Sequence, residues 1–315
     1  MKQTAESLIK EFRSEVHNKI PGLISSVQRK RTDLASLLPT SEERNHSAVW
    51  WILSAHAGTL EKLDIFLRRE GSYESLELLA IARNIFENLV WLKLMNSDEQ
   101  FGIVFYAQFL RNQMESGRAL IRKTEDEATL FEHFDSLDSD ILEKLGPRSG
   151  ALSNEEVREA FDAQEMQSDA LDRLIRREFC LYANQATQNG YGYQAWLIRE
   201  KAIPVHQAKL LELESLQESL NRELTTLLDA QHVGLATGRW NWLERARDVR
   251  MDAQYRFLYS FTSKLLHAIP LNIITDKKLS DLESIMILDY VVISAVDLLE
   301  IIEQYSPAWR DANST

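Results

Sequence analysis

The chain has 315 residues, of which 44% are hydrophobic, and it carries a formal net charge of −12. The hydrophobic fraction supports a sizeable core, and the 11 glycines and 6 prolines are too few for a many-turned all-β fold. The negative charge disfavours a broad, non-specific nucleic-acid binder, which needs an extended basic surface.

Cys180 is the only cysteine, which excludes an internal disulfide and a cysteine-based zinc cluster. A lone cysteine also fits a reducing compartment. The first residues lack the apolar core of a signal peptide, and the apolar run near the C-terminus is interrupted by Asp289 and Asp297. We therefore expect a cytoplasmic protein without a membrane span.

Start and stop signals predict a series of helices. Proline lacks the backbone N–H, so Pro21 is expected to end a first helix over residues 3–20. A capping box pairs a serine or threonine with a glutamate or glutamine three residues later, and both satisfy free N–H groups at a helix start. Such boxes occur at Thr40, Ser97, Ser153 and Ser280.

These signals predict an all-α fold in a single domain over 1–315. Its core would be a helical bundle that combines residues 41–124 with residues 239–305. Residues 125–238 would form a helical excursion between the two halves.

The segment 72–96 is apolar on opposite sides of its predicted helix, which is typical of a central helix. Arg83 and Glu87 lie inside one apolar sector, at i and i+4. Buried charges are costly unless they are paired, so we expect both side chains to have low exposure. Two interpretations stay open, a self-contained ion pair inside the bundle and a pair that lines a cleft.

A second polar group lies on the helix predicted from Tyr255 to His267, which Pro270 ends. At about 100° per residue, Arg256, Ser263 and His267 fall in one narrow stripe. A helix with so little polar surface is mostly buried. The stripe therefore faces either a thin strip of solvent or a polar cleft.

A narrow leucine seam follows on the helix predicted over 206–231. Such a seam is usually a pairing face, and at two heptads it is more typical of packing within one chain than of a coiled coil. A homodimer nevertheless remains an expectation. The seam consists of Leu213, Leu216, Leu220, Leu224 and Leu227.

Several enzyme motifs are absent from the sequence: a glycine-rich phosphate loop, a G-x-S-x-G elbow and H-E-x-x-H. A carboxylate-bridged di-metal bundle needs repeated Glu-x-x-His, and the sequence has no such repeat. We therefore expect neither a metal nor a cofactor.

Two segments carry a resemblance to a known group. Leu79-Ala-Ile-Ala-Arg83-Asn-Ile-Phe-Glu87 resembles the R-x-x-x-E helix of a bacterial family of helical domains of unknown function. Trp240-Asn-Trp-Leu-Glu-Arg-Ala-Arg247, followed by Tyr255-Arg256, Ser263 and His267, looks like the second half of that family. The family is similar to the wider HEPN group of helical bundles (higher eukaryotes and prokaryotes nucleotide-binding). The resemblance covers 72–96 and 239–270 well, the first helices loosely, and 125–238 not at all.

Many HEPN proteins are dimeric, metal-independent endoribonucleases of toxin and phage-defence systems. The resemblance implies that His267 is catalytic and moves a proton at the attacking 2′-hydroxyl or the leaving oxygen. It also implies that Arg256 is catalytic and stabilises charge on the phosphate. The implied supporting or binding residues are Ser263, Arg83, Glu87 and Tyr255.

The chain departs from the HEPN hallmark, in which four to six residues separate an arginine from a histidine. Ten residues separate Arg256 from His267, and the only formal match, Arg199 to His206, contains Pro204. Two functions therefore stay open. One is an RNA-cleaving toxin-type or phage-defence effector, and the other is a non-catalytic helical module that binds a nucleotide, a nucleic acid or a partner protein.

Overall fold

A computed structural model describes residues 5–69, 73–145, 153–266 and 279–307. The first helices are α1 Ala5–Leu37, α2 Ser41–Asn45, α3 Ala48–Arg68, α4 Ser75–Ser97 and α5 Phe101–Leu145. The middle of the chain forms α6 Asn154–Ile175, α7 Ala183–Asn189, α8 Tyr191–Leu197, a π-helical turn Ile198–Ala202 and α9 Ile203–Leu227. The remaining helices are α10 Ala230–Thr237, α11 Trp242–Asp248, α12 Asp252–Leu266 and α13 Asp281–Gln304.

No strand occurs in these described ranges, so the predicted all-α fold is confirmed. None of the helices in the described parts of the chain combines the length and hydropathy needed to cross a membrane.

The chain divides into two compact units. The first comprises the described residues of Met1–Gln108 and Arg222–Thr315, and the second is Phe109–Asn221. These bounds differ from those of the predicted core and the predicted excursion over 125–238. The single domain over 1–315 stays a prediction.

Helix α4 is the central element of the first unit. It packs against α3, α11, α12 and α13, while α1 packs against α3 and α13. Its buried side chains, among them Leu79, Phe86 and Leu89, lie on several sides of the helix. The two-sided apolar pattern of the sequence therefore corresponds to a helix that has neighbours on several sides.

Three predicted capping boxes are present, at Thr40, Ser153 and Ser280. The fourth, at Ser97, was wrong, because α4 continues through this residue. Asp98 takes over instead, and its Oδ1 accepts a hydrogen bond from the N–H of Gln100 at 2.8 Å just before α5 begins. The short side chain of an aspartate readily accepts hydrogen bonds from the free backbone N–H groups at the start of a helix.

The predicted helix end at Pro21 was also wrong, because α1 runs through it as one helix of 33 residues. Pro21 is exposed, whereas Val16, Ile20 and Val27 of the same helix are buried. An interior proline costs about 3 kcal/mol. Burying the apolar side chains on both sides of it stabilises the continuous helix by more, at about 1.5–3 kcal/mol for each large aliphatic side chain.

The second unit has its own apolar cluster, which includes Phe131, Phe134, Ile175 and Ile198. Part of the predicted leucine seam lies on α9 in this unit, and Leu220 is fully buried within the chain. The homodimer stays a prediction.

Candidate functional site

The predicted pair of Arg83 and Glu87 lies on α4. Arg83 Nε donates a hydrogen bond to Glu87 Oε1 at 3.0 Å, and the two side chains are 37% and 26% exposed. The pair is thus formed as expected, but it is half-buried, and the expected low exposure was wrong.

The sequence interpretation missed Tyr259 of α12, which belongs to the same cluster. Its hydroxyl donates to Glu87 Oε1 at 2.5 Å, and the Arg83 guanidinium lies 4.2 Å from the centre of its ring. Tyr255 stacks on Tyr259 with ring centroids 4.2 Å apart, and Phe86 contacts both rings. Tyr259 lies in an aromatic stretch and was counted as apolar in the helical pattern. The pattern therefore did not indicate that its hydroxyl makes a polar contact.

The surroundings fix the protonation state of two groups in this cluster. Burial and the hydrogen bond to Glu87 raise the pKa of Tyr259 far above its usual range. Burial disfavours the charged form of Arg83, but the hydrogen bond to Glu87 and the nearby Tyr259 outweigh it, so the pKa of Arg83 is raised. Tyr259 therefore remains a hydrogen-bond donor and Arg83 a cation at any physiological pH.

The other predicted site residues are not all brought to this cluster. Arg256 pairs with Asp252 of its own helix, and its side chain is 69% exposed. His267 lies outside the described residues, and Ser263 lies on α12 with a side chain outside them. The catalytic roles of Arg256 and His267 and the supporting role of Ser263 therefore stay predictions.

The formal Arg199 to His206 match lies in the second unit. Arg199, in the π-helical turn, binds Glu132 of α5 through two hydrogen bonds and donates to the hydroxyl of Thr129 at 3.1 Å. The Arg199 guanidinium is thus engaged in holding two helices of this unit together.

A cleft runs between α3 and α4 in the first unit, and we call it the α3–α4 cleft. Its wider part has a volume of about 470 Å³ and its narrower part about 280 Å³. Both parts are lined by Thr59, Lys62, Asn84 and Asn88, so they are continuous. Small-molecule sites in proteins have volumes of about 300–1,000 Å³.

Aromatic side chains line the narrow end of the cleft. Trp91 of α4, Phe105 of α5 and Trp242 of α11 line it, and each is half-buried. Trp240 stacks on Trp91 with ring centroids 3.9 Å apart and supports it from one side. Glu87 lies on the same wall, so the predicted ion pair contributes one of its members to the cleft.

Polar groups line the middle of the cleft. Asn88 Nδ2 donates to both the backbone and the side-chain oxygen of Asn84, at 2.9 Å each. Among the described residues, the amide N–H₂ of Asn84 and the side-chain oxygen of Asn88 have no further hydrogen-bond partner. The ammonium group of Lys62 is exposed and has no carboxylate partner in the described part of the chain. Sequence analysis missed all three residues, although two asparagines at i and i+4 in an apolar helix are a usable signal.

No group of three histidine, cysteine or carboxylate side chains among the described residues could hold a metal ion. The fold and the site define the protein as an all-α bundle with a polar and aromatic cleft between two of its helices. Comparisons with protein-family models, with curated proteins and with solved structures gave no match. Membership of the HEPN group therefore stays a prediction.

Proposed function

We propose that the protein is a non-catalytic helical module that binds a nucleotide, or the terminal nucleotide of a nucleic acid, in the α3–α4 cleft. The observation that supports this most directly is the combination of aromatic, amide and cationic groups along one cleft. Trp91 and Trp242 lie at the narrow end, Asn84 and Asn88 in the middle, and Lys62 beside them.

Each of these groups suits one part of a nucleotide. Indole rings offer stacking surfaces to a base, and such stacking is worth about 1–3 kcal/mol per base. Side-chain amides provide a donor and an acceptor for the edge of a base. A lysine ammonium binds a phosphate as a point charge. The negative charge of the whole chain makes a local site of this kind more plausible than an extended nucleic-acid surface.

The engagement of the two arginines expected at the site supports binding over cleavage. Arg83 is held by Glu87 and Tyr259, and Arg256 is paired with Asp252. Both guanidinium groups are thus bound to carboxylates of the protein and are not left free to stabilise the charge of a phosphate during cleavage.

The test is a titration of the four nucleoside 5′-monophosphates followed by tryptophan fluorescence and calorimetry. We expect saturable quenching, because a base at the narrow end stacks on Trp91 or Trp242. Lys62→Gln should weaken binding about five- to tenfold by removing a charged contact. Lys209→Gln, which changes an exposed lysine of the second unit, is the matched control and should bind like the wild type.

Gly58 offers a second test that removes no contact. It lines the narrow part of the cleft, and a Cβ placed on it meets no atom within 4 Å. Gly58→Leu should therefore fill the cleft and abolish binding without unfolding the protein. Gly22→Leu, at a similarly open position of α1, should leave binding intact. Absence of nucleotide binding in the wild type, or full binding by Gly58→Leu, would refute the proposal.

A further inference from the structure

Glu87 has two roles in the geometry of the first unit. Its side chain lines the narrow end of the α3–α4 cleft. Its Oε1 atom accepts hydrogen bonds from Arg83 Nε at 3.0 Å and from the Tyr259 hydroxyl at 2.5 Å. In the described part of the chain, Glu87 Oε2 has no hydrogen-bond donor of its own.

The surroundings of Glu87 hold its carboxylate in one position. The Arg83 guanidinium lies over the ring of Tyr259, and that ring is itself packed against Tyr255 and Phe86. A carboxylate oriented by two donors on rigid helices is pre-organised as an acceptor. Arg83 also offsets its negative charge, which reduces repulsion of a phosphate elsewhere in the cleft.

We infer that Glu87 determines which ligand the cleft accepts, because its Oε2 accepts a hydrogen bond from an amino group on the ring of the bound base. This inference rests on the proposed function. An ionised carboxylate is an acceptor only. A base without a donor at that position leaves the Oε2 atom of Glu87 desolvated and without a hydrogen bond, and sites of this kind discriminate against such ligands. Arg83 and Tyr259 act through Glu87 and are positioning residues.

The test compares adenosine 5′-monophosphate with purine riboside 5′-monophosphate, which differs from it only by lacking the exocyclic amino group. We expect the wild type to bind the adenosine compound about tenfold more tightly, which is the usual size of one charge-assisted hydrogen bond. Glu87→Ala should abolish this preference. Glu61→Ala, which removes an exposed carboxylate of α3 outside the cleft lining, should keep it.

Tyr259→Phe provides the variant that keeps the ring packing. It should reduce the preference to about threefold, since one of two groups orienting the carboxylate is lost, and leave the affinity for purine riboside 5′-monophosphate unchanged. If Tyr259 had a purely structural role, Tyr259→Phe would lower the affinity for both compounds equally. That result would overturn its assignment as a positioning residue.

The outcomes separate this inference from the proposed function. Equal binding of the two compounds by the wild type overturns the inference and leaves nucleotide binding in place. A preference that survives Glu87→Ala also overturns it, because a different group of the cleft then selects the base. If none of the four nucleoside 5′-monophosphates binds, the proposed function is refuted, and the inference with it.

Discussion

The imidazole of His56 lies in the core of the first unit, where 1% of the residue is exposed. Its ring packs edge-on against the ring of Tyr305 with centroids 5.1 Å apart. Burial, helped by the nearby charge of Lys30, lowers the pKa of His56 to about 3. The histidine is therefore neutral in the folded protein at pH values where an unfolded chain already protonates it.

This difference predicts the direction of a pH effect on stability. Between pH 6.5 and pH 3 the unfolded state binds a proton at His56 that the folded state does not, so the free energy of unfolding falls as the pH falls below 6.5. At pH 5 the loss from this residue is about 2 kcal/mol. Urea unfolding at pH 7.5 and pH 5 should show this loss in the wild type and a smaller one in His56→Leu.

His133→Leu is the control for that experiment, because His133 is exposed on α5. It should keep the pH dependence of the wild type. An equally large loss of stability at pH 5 in His56→Leu would show that other groups cause the effect.

Residue chemistry could be predicted where it depends on neighbours in sequence. Arg83 and Glu87 are one helical turn apart, so the spacing alone indicates their ion pair. Tyr259 donates to the same carboxylate from 172 positions away, and Trp242 reaches the cleft from a different helix. Such contacts depend on how the helices pack, which periodicity does not specify.

The positions of helix ends also depend partly on residues close in sequence and partly on tertiary packing. The boxes at Thr40, Ser153 and Ser280 work through groups three residues apart, and all three were predicted. Pro21 is a local stop signal that tertiary packing overrides, because α1 gains more from continuous burial against α3 and α13 than it loses at one turn.

A close approach between two helices makes any larger residue destabilising at Gly102 of α5. A Cβ at this position would lie 2.3 Å from the carbonyl oxygen of Ala48, at the start of α3. Because that contact is with backbone, the helices must separate to relieve it. Gly102→Ala should lower the free energy of unfolding by about 1–3 kcal/mol, measured by urea titration.

Gly58→Ala is the matched comparison on α3, since its added Cβ meets nothing within 4 Å. It should raise stability by about 0.5–1 kcal/mol through the better helix propensity of alanine. If both variants shifted stability in the same direction, the close approach of α5 to α3 would not be the cause.

At the scale of the whole molecule, binding and cleavage lead to opposite expectations. A non-catalytic module leaves RNA intact, with or without a chelator, when purified protein is incubated with total RNA. We expect this result for the wild type, for Arg256→Ala and for His267→Ala alike, by gel electrophoresis with an added ribonuclease as the positive control.

Cleavage by the wild type that is lost in both variants would replace the binding proposal with the ribonuclease function that the resemblance implies. Retention of that cleavage in His206→Ala would further separate it from the formal match in the second unit. Loss in His206→Ala alone would assign the reaction to that match.

The packing of α1 against α13 has a consequence for how the chain folds during synthesis. Lys30 Nζ donates to the carbonyl oxygen of Tyr305, a residue 275 positions further along the chain, at 2.6 Å. At roughly 5–20 residues per second, translation between these two positions takes on the order of tens of seconds. During that interval the apolar side of α1 that α13 will cover is exposed to solvent and to chaperones. A nascent chain stalled before α13 should therefore be more sensitive to proteolysis along α1 than the released protein.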